Sequence, residues 1–135
     1  MIYQLDTNTC VEYLRHGSTS TVAAHLATVP EDDIGLSTVA IAELLFGALR
    51  SKKPILATSQ VEAFVANYDI VLFDKDAAEE YAAIREYLTS QGQVIGSNDM
   101  LIAATARLHG SILVTHNTAE FSRVPGLRLE DWQLP

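Results

Sequence analysis

The strongest constraint on this chain is a repeated alternation of short apolar runs with longer Ala- and Leu-rich stretches. Ile2 to Leu5, Ile34 to Leu36, Ile70 to Phe73 and Ile112 to Val114 each have the length and apolar density of a buried strand. Arg128-Leu129, just before Trp132, adds a short edge strand. Between these runs, apolar residues recur at helical spacing over Val22 to Val29, Val39 to Leu49, Val61 to Tyr68, Ala77 to Leu88 and Met100 to Leu108. Strands alternating with helices predict an α/β fold whose parallel sheet, of four to five strands, is covered on both faces. A length of 135 residues suits one domain spanning 1–135. In such sheets, sites gather at the carboxyl ends of the strands. Polar residues there need a reason.

Four acids fall at such positions. Asp6 directly follows the first strand in Leu5-Asp6-Thr7-Asn8-Thr9; alone it reads as a helix cap before it reads as a functional group. Glu43 lies inside the helix that Ser37 or Thr38 would cap. Its neighbours one turn away, Val39, Ala40, Phe46 and Gly47, are uncharged. A helix so apolar is expected to be buried, and a buried unpaired carboxylate needs a cation or strong donors. The alternative is a wet helix stripe or a distant arginine. Asp99 lies in the first turn of a helix that Ser97 or Asn98 would cap, where the helix dipole also favours an acid. Glu120 follows the fourth strand among Thr115, His116, Asn117 and Thr118, and by itself reads as a loop acid.

Together the four mean more than they do singly. A parallel sheet would bring Asp6, Glu43, Asp99 and Glu120 to one rim, and four carboxylates cannot gather there unless protonated or neutralised. Oxygen-only ligation suits magnesium or manganese. Such ions generate hydroxide near neutral pH and hold the oxygens of an in-line phosphoryl displacement. Phosphodiester hydrolysis is the chemistry this pattern suggests. The net charge of −8 opposes a broad nucleic-acid surface. Two ions bound at the acids would cancel their four negative charges where a phosphate lands, while the bulk charge favours a basic protein partner.

Other classes are excluded more simply. The single cysteine, Cys10, forbids an internal disulfide and a cysteine-rich zinc site. No apolar run reaches the roughly 18 residues that cross a bilayer. The opening Met1 to Asp6 lacks a basic segment followed by an apolar one, so no signal peptide is expected and a cytoplasmic location is the default.

At these residues the sequence resembles the PIN-domain family, in particular its bacterial VapC-type toxins. Leu5-Asp6-Thr7-Asn8, Ser37 to Leu44 with Gly47 after it, Asn98 to Ala104, and Val114-Thr115-His116-Asn117 leading to Glu120-Phe121 match the family's four motifs in order. The ending Val124 to Trp132 is similar to the branch that cleaves initiator transfer RNA. The resemblance implies a three-layer α/β/α fold, a homodimer, and a cognate VapB-type antitoxin whose C-terminal segment fills the active-site groove. Contact with DNA would come only through that antitoxin. It further implies Asp6, Glu43 and Asp99 as ligands of Mg2+ or Mn2+, and Glu120 as an auxiliary acid. Thr115 and Asn117 would support the site, and Asn8 would orient Asp6. Glu120 stands where much of the family carries Asp, so a water-mediated role fits it as well as direct contact. Water activated at the ion would attack phosphorus and leave 5′-phosphate and 3′-hydroxyl ends.

Arg85, on the helix after the third strand, could face the groove and touch RNA or antitoxin; a local contact with Glu86, Glu80 or Tyr81 is the plainer reading. Arg50, Lys52 and Lys53 form the only basic cluster, which suits either RNA or a solvated helix end. Leu44 to Leu49 and Val61 to Phe64 read as core, with part available to a dimer surface. Two rivals stand beside the nuclease. A haloacid-dehalogenase-type phosphatase would share Asp6-Thr7-Asn8-Thr9 after a first strand, but it needs a second acid where Asn8 stands, and no lysine follows Lys75. A catalytically weak PIN-like subunit that binds only its partner, or DNA as part of a pair, would not need all four acids.

Overall fold

The computed structural model describes residues 1–135. Five parallel strands form one sheet: β1 (Tyr3–Leu5), β2 (Ile34–Ser37), β3 (Asp69–Val71), β4 (Ile112–Val114) and β5 (Arg128–Glu130), in the order β3-β2-β1-β4-β5. Seven helices surround it: α1 (Thr7–His16), α2 (Thr21–Leu26), α3 (Thr38–Leu49), α4 (Pro54–Val65), α5 (Lys75–Ser90), α6 (Ser97–Leu108) and α7 (Thr118–Phe121). The apolar side chains separate into two clusters. One gathers Leu5, Leu36 and Val114 with Cys10, Leu44 and Phe64; the other gathers Leu113 with Ile84, Met100 and Phe121. Two cores with a sheet between them are the three-layer α/β/α arrangement expected.

Central β1 pairs with β2 on one side and β4 on the other, so the strand order reverses direction there. A crevice opens at such a reversal, because the two flanking connections leave on opposite faces. Asp6 is the first residue beyond β1. The Asp6 amide donates to the Val114 carbonyl at 3.0 Å, which holds the ends of β1 and β4 together.

Several elements differ from the sequence reading. Asp6 does cap a helix, α1, but no helical periodicity marked it, because Thr7, Asn8, Thr9, Cys10 and Val11 are poor helix formers. Tertiary burial overrides that weakness, since Cys10 and Thr9 are buried. Helix α4 starts at Pro54, a full turn and more before Val61, because proline at the first helical position loses no intrahelical bond. Its first turns escape detection by periodicity because Ile55 and Leu56 point to solvent. Strand β3 occupies 69–71 instead of 70–73, set by pairing to β2. Helix α3 is only half buried: Phe46 is 66 % and Leu49 65 % exposed, correcting the expectation of a helix enclosed on most faces. No helix is long and apolar enough to cross a membrane.

Candidate active site

Asp6 is positioned by contacts that all come from the fold. It caps α1, accepting from the Thr9 amide at 2.8 Å. Thr9 in turn donates its hydroxyl to the Val114 carbonyl at 3.1 Å. Burial, the largest effect, pushes the Asp6 pKa up, while the buried Thr115 hydroxyl, just past β4, and the Thr9 amide draw the carboxyl toward its ionised form. Asn8 is exposed and makes no hydrogen bond to Asp6. The orienting part expected of Asn8 falls to Thr9, because the capping turn points Asn8 outward.

Glu43 is reached from α3, whose cap is Ser37 as expected, accepting from the Ala40 amide at 3.1 Å. Thr7 Oγ1 donates to Glu43 Oε1 at 2.6 Å, and Asn98 Nδ2 to Oε2 at 3.3 Å. These are neutral donors. They orient the carboxylate without cancelling its charge, and neither the wet stripe nor the distant arginine is the whole account. Thr7 was missed in the sequence because the helix that presents it was missed.

Asp99 lies in the first turn of α6. The cap of that helix is Gly96, not Ser97 or Asn98, and it makes no side-chain bond. Because the helix begins at Ser97, the Asn98 side chain is free to reach Glu43. The Asp99 carboxylate accepts no hydrogen bond. Burial first, then the charges of Asp6, Glu43 and Glu120, push its pKa up to about 6. Each of the other three acids is therefore close enough to be felt. Glu120, in α7, accepts from Asn117 Nδ2 at 2.9 Å, and the Asn117 amide donates to Thr115 Oγ1 at 3.0 Å. Asn117 thus links Glu120 to Thr115, whose hydroxyl lies beside Asp6.

None of the four acids forms an ion pair. No three of them meet at a single point at ligand distance as they stand, so they line an open rim and not a closed cage. Beside the rim, Thr7, Thr38, Ala42, Glu43, Phe46 and Asn98 enclose a cavity of about 660 Å³. Four oxygen donors, no thiol or imidazole among them and no lysine or arginine on them, fit a hard divalent cation that keeps several waters. Arg85 is exposed on α5, and its guanidinium donates to the Tyr81 hydroxyl at 2.9 Å, the plainer of its two readings. His116 bonds Asp131 at 2.8 Å and none of the four acids. The phosphatase alternative loses its parts: Asn8 is turned to solvent, and Lys75 is held by Glu79 on the surface of α5.

Comparison with known proteins agrees with this geometry. The chain is 37% identical over 130 residues to the tRNA(fMet)-specific endonuclease VapC of Shigella flexneri, covering 96% of this chain and 97% of that one. It is 36% identical over 132 residues to ribonuclease VapC2 of Rickettsia felis, covering 98% of each. In the crystal structure of DNA-bound VapBC from Salmonella typhimurium, one chain superposes with a TM-score of 0.92 at 31% identity over 98% of both chains. A chain of VapBC2 from Rickettsia felis, bound to a DNA fragment from its promoter, gives 0.90 at 34% identity, over 98% of this chain and 99% of that one. The PIN domain family matches residues 3–127, which include all four acids. The five-stranded parallel sheet, the acid rim at its reversal point and these relatives make this chain a member of the PIN-domain family.

Proposed function

We propose that this protein is the ribonuclease toxin of a VapBC-type pair: an endoribonuclease dependent on Mg2+ or Mn2+, restrained by a cognate VapB-type antitoxin. The observation that supports this most is the acid rim itself. Four carboxylates share one end of the sheet with no cationic side chain on any of them. Such a site is destabilised by its own charge until a cation enters. The relatives named above, tRNA(fMet)-specific endonuclease VapC and ribonuclease VapC2, support RNA as the substrate and transfer RNA as its class. The neighbouring VapBC structures support the antitoxin, and through it the approach to DNA.

In this reading Asp6, Glu43 and Asp99 hold the ion and Glu120 assists. When bound, the ion supplies positive charge against the phosphoryl oxygens and acidity for the attacking water. The chain does the positioning. Thr9 and Thr115 set the Asp6 oxygens, Thr7 and Asn98 set those of Glu43, and Asn117 sets Glu120. Asp99 accepts no hydrogen bond, and burial and its acidic neighbours raise its carboxyl to about 6. It must give up its proton before a cation can be held, so affinity rises with pH. Cleavage ending in 5′-phosphate and 3′-hydroxyl, growth arrest through lost translation, a homodimeric toxin and a cytoplasmic site of action complete the proposal.

The test is expression without antitoxin, followed by sequencing of RNA ends soon after induction. Growth should stop, new 5′-phosphate ends should accumulate in transfer RNA, and Asp6→Ala, Glu43→Ala and Asp99→Ala should each restore growth. Full toxicity in all three variants would remove the site assignment. Intact RNA with normal growth in the unaltered strain would favour a binding subunit without catalysis.

A further inference from the structure

The basic side chains of this acidic protein are unevenly used. Of its nine Lys and Arg residues, four are engaged: Lys75 with Glu79, Arg107 with Glu80, Arg85 with the Tyr81 hydroxyl and Arg128 with the Gly110 carbonyl. Of the remaining five, Arg50, Lys52 and Lys53 stand within four residues at the turn from α3 to α4, exposed and without a bonding partner. Residues 44–61 hold no Asp or Glu at all, in a chain with 17 acids. A helix C-terminus accounts for Arg50, which follows the end of α3. It does not account for Lys53. That residue caps the start of α4, where Ser, Thr, Asp or Asn is favoured and the helix end is itself positive.

This cluster is joined to the acid rim by one face of one helix. Glu43, Phe46 and Arg50 follow each other at helical spacing along α3. Phe46 is 66 % exposed, yet it lines the same cavity as Glu43, Thr7 and Asn98. Arg50 lies seven positions after Glu43, about 10 Å along the helix axis. An acid that holds a reacting centre, then an aromatic face, then fixed positive charge is the order in which a single nucleic-acid strand presents a scissile linkage, a base and the following phosphates. The same turn exposes Leu49, Ile55 and Leu56, but three cations with no acid from 44–61 beside them match a polyanion by charge.

We propose that the exposed face of α3 and its turn into α4 carry the RNA strand flanking the cleavage point, with a base stacked on Phe46 and phosphates on Arg50, Lys52 and Lys53. This rests on the ribonuclease reading and specifies where its substrate runs. The occupant is a single strand leaving the acid rim; the cations hold its backbone and read no sequence.

The experiment measures binding of a labelled, mixed-sequence single-stranded RNA by fluorescence anisotropy, in EDTA, over a series of salt concentrations. The unaltered chain is compared with the triple variant R50Q/K52Q/K53Q and with Phe46→Leu and Phe46→Tyr, all checked for folding by circular dichroism. For three lost phosphate contacts on a single strand, the slope of log affinity against log salt should fall by about 2. Phe46→Leu should weaken binding without changing the slope, and Phe46→Tyr should restore it. The triple variant should cleave a dinucleotide as the unaltered chain does and lose rate only on longer RNA. If the unaltered chain cuts and binds RNA but the triple variant keeps its salt slope, this track is wrong while the nuclease reading stands. Sedimentation showing that Phe46→Leu breaks a dimer with RNA affinity unchanged overturns it as well. Absence of RNA binding and cleavage by the unaltered chain overturns both.

Discussion

Asp99→Asn should make the metal-free protein more stable near neutral pH while removing its activity. In the folded chain the Asp99 carboxyl is pushed from its ordinary 3.8 to about 6, by burial and by Asp6, Glu43 and Glu120. A gap of about two units corresponds to roughly 3 kcal/mol between the two protonation states. Asp99 is only partly buried, so solvent screening reduces this to on the order of 1–2 kcal/mol. The sign follows from proton counting. Between about pH 4 and 6 the folded state binds more protons than the unfolded state, so stability falls as pH rises through that window and levels off above it. Asparagine carries no charge to repel the other three acids. Its advantage should therefore be near zero at about pH 4 and reach its full size above about pH 6. Urea denaturation in EDTA, across that range, measures it. Adding Mg2+ or Mn2+ should then stabilise the unaltered chain and leave Asp99→Asn nearly unmoved, since only a state that binds the ion gains from it. Parallel stability curves for the two proteins across pH, or a variant less stable at neutral pH, would refute the account of a self-repelling rim.

The remaining expectations follow from the same contacts. Thr115→Val removes the hydroxyl that draws Asp6 toward ionisation, so the acid limb of the cleavage profile should move to higher pH and the rate should drop about 10–100-fold, by analogy with lost outer-shell partners. Thr7→Val should lower activity through Glu43, whose 2.6 Å bond it breaks, with less effect on the pH profile; a pH–rate series on both variants separates them. Glu120→Ala should leave measurable cleavage where Asp99→Ala leaves none, because Glu120 is already held by Asn117 and acts at one remove; equal losses in a single-turnover assay would contradict this. Trp132, 2 % exposed and packed on Tyr3 and His25, anchors the C-terminal tail to the helical layer; Trp132→Ala should cost about 3–5 kcal/mol in urea denaturation.

The sequence by itself determined the layering of this protein and the identity of its acids. Strand runs such as Ile112 to Val114 and the long helical pattern of Ala77 to Leu88 carry their own period, and period survives without knowledge of neighbours. Asp6 and Asp99 drew notice by standing at a strand exit and a helix start, and Glu43 by interrupting an apolar helix, where a charge is costly unless used. Their partners were not legible. Thr7 and Thr9 belong to a helix whose residues are poor helix formers, and it exists because Cys10 fills the core against the sheet. Asn98 reaches Glu43 across 55 positions only because Gly96 caps α6 and spares the Asn98 side chain from capping. The half-open face of α3 was hidden for the same reason: hydrophobicity alone cannot say whether Phe46 meets a neighbour or water. Local propensity records what a residue prefers, whereas contacts between distant segments depend on strand order, and only the folded sheet sets that order.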